Sequence, residues 1–235
     1  MAPPPAPDDV VASAGPGGPG VGRTIVELAQ SARTAGRAAV TSGRWLADTV
    51  VELAPRVPVR DAATLSAHHD GATDGALAKA LVRSAARVSA GIGAATGTAI
   101  AAQQLSVAMV VLVPFELAAE TALAVLTELK LIAELHEVAG RRVTTRSALL
   151  VWASGHALPP SAGEEPDDGP ALGPAARRQL VAQLRARYAR NLATLGPLLT
   201  GAAAAGLLNR RATVALGNAV ARDLGLRRAW GGGGR

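Results

Sequence analysis

The chain has 235 residues, one or two domains by length, and 49% of its side chains are hydrophobic, enough to bury a core. Alanine, leucine and valine supply most of that fraction, aromatic residues make up 2% and cysteine is absent. This points to helices over a β-sandwich and excludes a disulfide framework, a zinc ribbon, an iron–sulfur site and a thiol nucleophile. The formal charge is +6 and unevenly placed: residues 88–140 hold five Glu and one Lys, and residues 169–235 hold eleven Arg and one Asp, so the two regions are expected to attract each other.

Residues 1–22, with six prolines and five glycines, read as a disordered tail without the basic and apolar regions of a secretory signal. A helical region is expected over 23–156. Its first helix is read from Thr24, where Thr24 to Glu27 forms a capping box, and it continues through Trp45, Leu46, Val50, Val51 and Leu53 to Pro55. Pro55 to Gly75 reads as a loop or a broken short helix. Asp74 suits an N-cap for the next helix, with Leu77, Ala80, Leu81 and Ala85 on one face and Lys79, Arg83 and Arg87 on another. Val88 to Phe115 then runs for 28 residues without a charge.

Pro114 suits the first turn of a helix over roughly Phe115 to Ala139, with a wide leucine-rich face and Gly140 as its stop. A short helix follows over Thr145 to His156. Residues 157–173, with four prolines and four acids, read as a linker. An arginine-rich helical region follows over 174–228. Leu180, Leu184, Tyr188 and Leu192 are expected inward there, and Arg177, Arg178, Arg185, Arg187 and Arg190 outward. It contains a second uncharged run, Asn191 to Asn209, of 19 residues. Residues 229–235 read as a flexible tail.

A membrane-spanning helix needs about 20 apolar residues, and the first run is long enough. It is diluted by glycine and glutamine, and Gly93 and Gly97 form a GxxxG spacing that suits helix against helix as well as helix against lipid. Gly201 and Gly206 give the second run the same small-residue character. The two runs are expected to pack together. Glu116 and Glu120, one turn apart at the edge of the first run, are the candidate functional acids; they read either as a pair that shares a proton or binds a cation, or as a solvated first turn favoured by the helix dipole.

Recognisable reaction motifs are missing. His136-Glu137 begins a zinc-protease motif but Gly140 replaces its second histidine, and His68-His69-Asp70 is a weak metal candidate. Gly201 to Gly206 has the spacing of a phosphate loop, but Leu207 and Leu208 stand where Lys and Ser/Thr belong. No cofactor, metal or catalytic residue is expected, and the reading is non-enzymatic. Arg177, Arg178, Arg185, Arg210, Arg211, Arg227 and Arg228, with Trp230, are candidate contacts to anionic lipid or another polyanion; with so few aromatic residues for stacking, nucleic acid is disfavoured.

Two segments resemble the EcsC family. Leu195 to Gly201, continuing through Asn209, Thr213 and Gly217, is similar to that family's C-terminal signature of a proline, a small-residue helix, Asn, Thr and a Gly four residues on. The helix from Pro114 to Gly140 is similar to its central block, in which an acid starts a long leucine-rich helix. Here Pro114 precedes the acid and Ala139 stands in place of an aromatic. The resemblance implies a helical bacterial protein, membrane-associated and of unknown biochemistry, with no functional residues to carry over. The combined expectation is an all-α bundle whose two Ala/Gly-rich segments pack together. Its expected role is accessory or scaffold, at the cytoplasmic face of the membrane or in the cytoplasm. The expected partners are lipids or another membrane protein, and a homo-oligomer is allowed. The alternatives are a soluble helical interaction module and a polyanion binder acting through the arginine-rich half.

Overall fold

The computed structural model describes residues 19–103, 111–155, 172–194 and 201–226. Among the described residues there are nine α-helices and no strand. They are α1 (Pro19–Ala35), α2 (Arg37–Thr41), α3 (Arg44–Leu53), α4 (Ala62–Ala67), α5 (Asp74–Gln103), α6 (Val113–Val138), α7 (Thr145–Ser154), α8 (Pro174–Thr194) and α9 (Gly201–Asp223). The all-α expectation is met.

Helix α6 is the axis of the fold. Pro114 lies in its first turn, where a missing N–H costs nothing. It ends in a Schellman motif: Arg141 N donates to His136 O at 2.9 Å and Gly140 N to Glu137 O at 3.0 Å. Gly140 takes the left-handed φ of 69° that this stop requires. The expected apolar face understates the helix. Buried residues run around its whole circumference, from Phe115 to His136, because α1, α3, α5, α7, α8 and α9 all pack against it. A helix enclosed in this way holds its polar residues inside the protein, and Glu120, Glu128 and Glu134 are all buried.

Helices α5 and α9 lie antiparallel in the closest packing of the molecule, Gly93 against Ala205 and Gly217 against Val82. The expected association of the two small-residue segments is therefore present. It is built differently from a pair of spans. The first run is divided between the second half of α5, residues 104–110 and the start of α6, and the second between the end of α8, residues 195–200 and the start of α9. No helix of the described residues is long and apolar enough to cross a membrane.

Other boundaries differ. Helix α1 begins at Pro19, five residues ahead of Thr24, so Thr24 is a buried position within the helix and not its cap. Gly43, with φ 77°, separates α2 from α3. The segment expected to be loop contains α4, capped by Asp61, whose side chain accepts from Thr64 N at 2.8 Å. Of the tail expected over 1–22, residues 1–18 lie outside the described residues, as do most of the 157–173 linker and all of the 229–235 tail.

Candidate functional site

Five helices converge on a chain of buried polar side chains. Its centre is Glu128 on α6, 1% exposed. Arg187 of α8 grips this carboxylate with both terminal nitrogens, Nη2 to Oε1 at 3.0 Å and Nη1 to Oε2. Trp152 Nε1 of α7 donates to Oε2 at 2.8 Å. The Thr213 hydroxyl of α9 stands 2.9 Å from Glu128 Oε1 and 2.9 Å from Ser89 Oγ of α5, so it can donate to the acid while accepting from the serine. The planar guanidinium suits a bidentate grip on a carboxylate, and an ion pair this deep repays its desolvation only when its remaining lone pairs are also satisfied. Here they are.

Two turns toward the start of α6 lies Glu120, 2% exposed. Asn209 Nδ2 donates to its Oε1 at 2.6 Å, and no protein group among the described residues bonds its Oε2. Burial pushes this carboxyl up to about 7, against the Asn209 hydrogen bond, the Arg187 charge and Thr96, which pull it down. Its interior position rules out the solvated first-turn reading. Glu116, one turn earlier, is half-buried, so the two candidate acids sit in different surroundings.

The helix-packing glycines divide. A Cβ on Gly93 would lie 2.8 Å from the carbonyl of Ala205 and 2.9 Å from Asn209 Nδ2, and one on Gly206 would lie 2.8 Å from Ala90 O. Both permit the α5–α9 approach. Gly97 is buried in the same helix, and Gly201 is the first residue of α9.

The candidate arginines do not form one cluster. Arg177 is paired with Asp48 on α3. Arg178, Arg185, Arg210 and Arg211 are exposed on two helices, and Arg227, Arg228 and Trp230 lie outside the described residues. Arg187, expected outward, is 8% exposed and belongs to the interior. The attraction expected between the acidic and basic regions is realised in the Arg187–Glu128 pair. Leu192, expected inward, is 39% exposed.

Six large apolar side chains are exposed among the described residues: Val26 on α1, Val59 before α4, Val111 just ahead of α6, Leu192 near the end of α8, and Leu207 and Leu208 in the second turn of α9. The last turns of α8 cross the start of α6, with Tyr188 OH to Pro114 O at 3.2 Å and Asn191 Nδ2 to Thr121 Oγ1 at 3.4 Å, and Gly206 of α9 packs against Ala90 in the middle of α5. Arg190 of α8 and Arg210 and Arg211 of α9 are exposed. Residues 104–110 and 195–200 lie outside the described residues and contain no charged residue.

Glu128, Arg187, Ser89 and Trp152 were not legible as a site. The one available signal was spacing: Arg187 follows Leu184 by three and Leu180 by seven, which places it at the edge of the inward stripe of α8. Asn209, Thr213 and Gly217, the residues behind the EcsC resemblance, recur every four positions. On α9 they form one face that meets Glu120, Glu128 and the Val82–Leu131 contact in turn. No group of three His, Asp or Glu among the described residues could hold a metal ion. No family model, curated protein or solved structure matches the chain.

Proposed function

We propose that this protein works at a lipid surface as a non-enzymatic accessory or scaffold, resting exposed apolar side chains of α8 and α9 on the membrane without spanning it. The observation that carries this reading is the exposure of Leu207 and Leu208 on α9 one turn from the exposed Arg210 and Arg211, with Leu192 and Val111 also exposed. Apolar side chains gain by entering the headgroup and acyl boundary, and neighbouring arginines gain from anionic headgroups. The polar network centred on Glu128 fits this role, because it ties five helices together into a rigid support. The resemblance to EcsC proteins points the same way, and the chain is proposed as a member of that group.

Flotation of the full chain with vesicles of phosphatidylcholine and phosphatidylglycerol tests the proposal. The protein is expected to float with the vesicles. The triple variant Leu192→Glu, Leu207→Glu, Leu208→Glu is expected to stay at the bottom of the gradient with its helical circular dichroism intact. A wild-type chain that ignores vesicles and instead captures a protein partner through the same leucines would replace this reading with that of a protein-interaction module.

A further inference from the structure

A cleft of about 130 Å³ opens between α5 and α6 beside Thr24 of α1. Leu81, Val88, Ile92, Leu123 and Leu126 form its apolar wall, Thr24, Ser84 and Thr127 also line it, and Arg60, Lys130 and Glu134 form a charged side. Glu134 is 5% exposed along its side chain. It accepts from Arg60 Nε at 2.9 Å and from Lys130 Nζ at 2.7 Å. Lys130 also donates to Pro58 O. Two cations therefore share one carboxylate, and the polar side of the cleft keeps one positive charge in excess. Among the described residues, Arg60 directs two of its five N–H groups and Lys130 two of its three to protein acceptors, so both have donors left.

We propose that this cleft binds a small amphiphile, a single apolar chain with up to about six carbons held in the cleft and ending in an anionic head. A cavity of about 150 Å³ by the same measure accommodates a six-carbon ring, which sets the chain length. The leucine, isoleucine and valine side chains give the apolar chain most of its contact surface, with the small hydroxyl residues Thr24, Ser84 and Thr127 among them. The free donors of Arg60 and Lys130 take the head, and the excess positive charge selects an anion over a neutral or cationic one. Glu134 holds both cations at the mouth and makes the site weaker for a second anion. This inference is independent of the lipid-surface reading, since the cleft and the exposed leucines share no residue.

The test is calorimetric titration of the full chain with straight-chain carboxylates from butanoate to decanoate, and with octanol and octyltrimethylammonium. Affinity is expected to rise about fourfold per added methylene until the cleft is full, then level off. Octanoate is expected to bind at least tenfold more tightly than octanol, and octyltrimethylammonium more weakly still. Ala85→Leu, which fills the cleft from α5, is expected to abolish octanoate binding, and Arg60→Gln to remove the preference over octanol while leaving octanol binding in place. A carboxylate head and a phosphate head share this chemistry, and octyl phosphate distinguishes them. The proposal is overturned if no carboxylate binds saturably, if octyltrimethylammonium matches octanoate, or if the thermally stable Ala85→Leu variant binds octanoate as the wild type does. It does not depend on vesicle flotation, so either result can fail alone.

Discussion

Glu120 is a carboxyl enclosed by α5, α6 and α9, bonded through one oxygen to Asn209, with Thr96 and the charge of Arg187 nearby. Burial raises it from an ordinary 4.5 to about 7. The unfolded chain ionises this group from about pH 4.5 upward, whereas the folded chain holds its proton until about pH 7. Stability therefore falls as pH rises through that window and levels off above it, by a total on the order of 3 kcal/mol. His136 acts in the opposite sense. Burial lowers it, so the folded state resists its protonation and stability falls as pH drops below the usual 6.5. Glu120→Gln keeps the shape of the protonated acid and cannot ionise. Urea melts at pH 5 and pH 8 are expected to show it close to wild type at pH 5 and more stable by about 2–3 kcal/mol at pH 8. Equal midpoints for the two proteins at both pH values would show that Glu120 is ionised inside the fold.

Helices α5 and α9 touch backbone to backbone where Gly93 faces Ala205 and Gly206 faces Ala90. Glycine inside a helix ordinarily costs about 1 kcal/mol relative to alanine. Here a methyl group would meet main-chain atoms at 2.8 Å, which neither helix can yield without separating. Gly93→Ala is expected to lower stability by roughly 1–3 kcal/mol and to lengthen the Asn209–Glu120 bond. Gly22→Ala on α1, where no other atom lies within 4 Å, is expected to be neutral or stabilising by up to about 1 kcal/mol. Thermal melts of both decide the matter. If Gly93→Ala also stabilises, the close approach is absent. This pairing was legible in the sequence because small residues at four-residue spacing leave a visible stripe. So were the start of α6 at Pro114 and its stop at Gly140, since both follow from backbone chemistry. The burial of α6 on every side was not legible. Glutamate at 120, 128 and 134 reads as a solvated face until the partners appear, and Arg187, Asn209 and Thr213 come from 59 to 89 positions away. Pairings at that separation depend on tertiary packing, which local periodicity does not encode. The start of α1 was missed for a different reason: the Thr24-to-Glu27 capping signature occurs by chance inside a helix.

At the scale of the whole molecule, exposed arginines and exposed leucines occur together on α9. Arg190, Arg210 and Arg211 stand near the exposed leucines, and each arginine close to an anionic surface contributes about 1 kcal/mol at low salt. Binding to phosphatidylglycerol vesicles is therefore expected to weaken by up to about a hundredfold between low and high salt as the charges are screened. Binding to neutral vesicles, which rests on the leucines, is expected to be weaker and nearly independent of salt. Salt-independent binding to both vesicle types would remove the arginines from the contact.

The Thr213–Ser89 bond joins positions 124 residues apart, and α9 supplies Asn209 and Thr213 to acids on α6. During synthesis α5 and α6 leave the ribosome well before α9. Until α9 arrives, the Gly93 groove is open, and Glu120 and Glu128 lack partners that the finished core provides. Contacts of such long sequence separation slow folding, because the intervening chain must be ordered first. The last long helix therefore acts as a latch: the nascent chain keeps its interior open to water until α9 closes it.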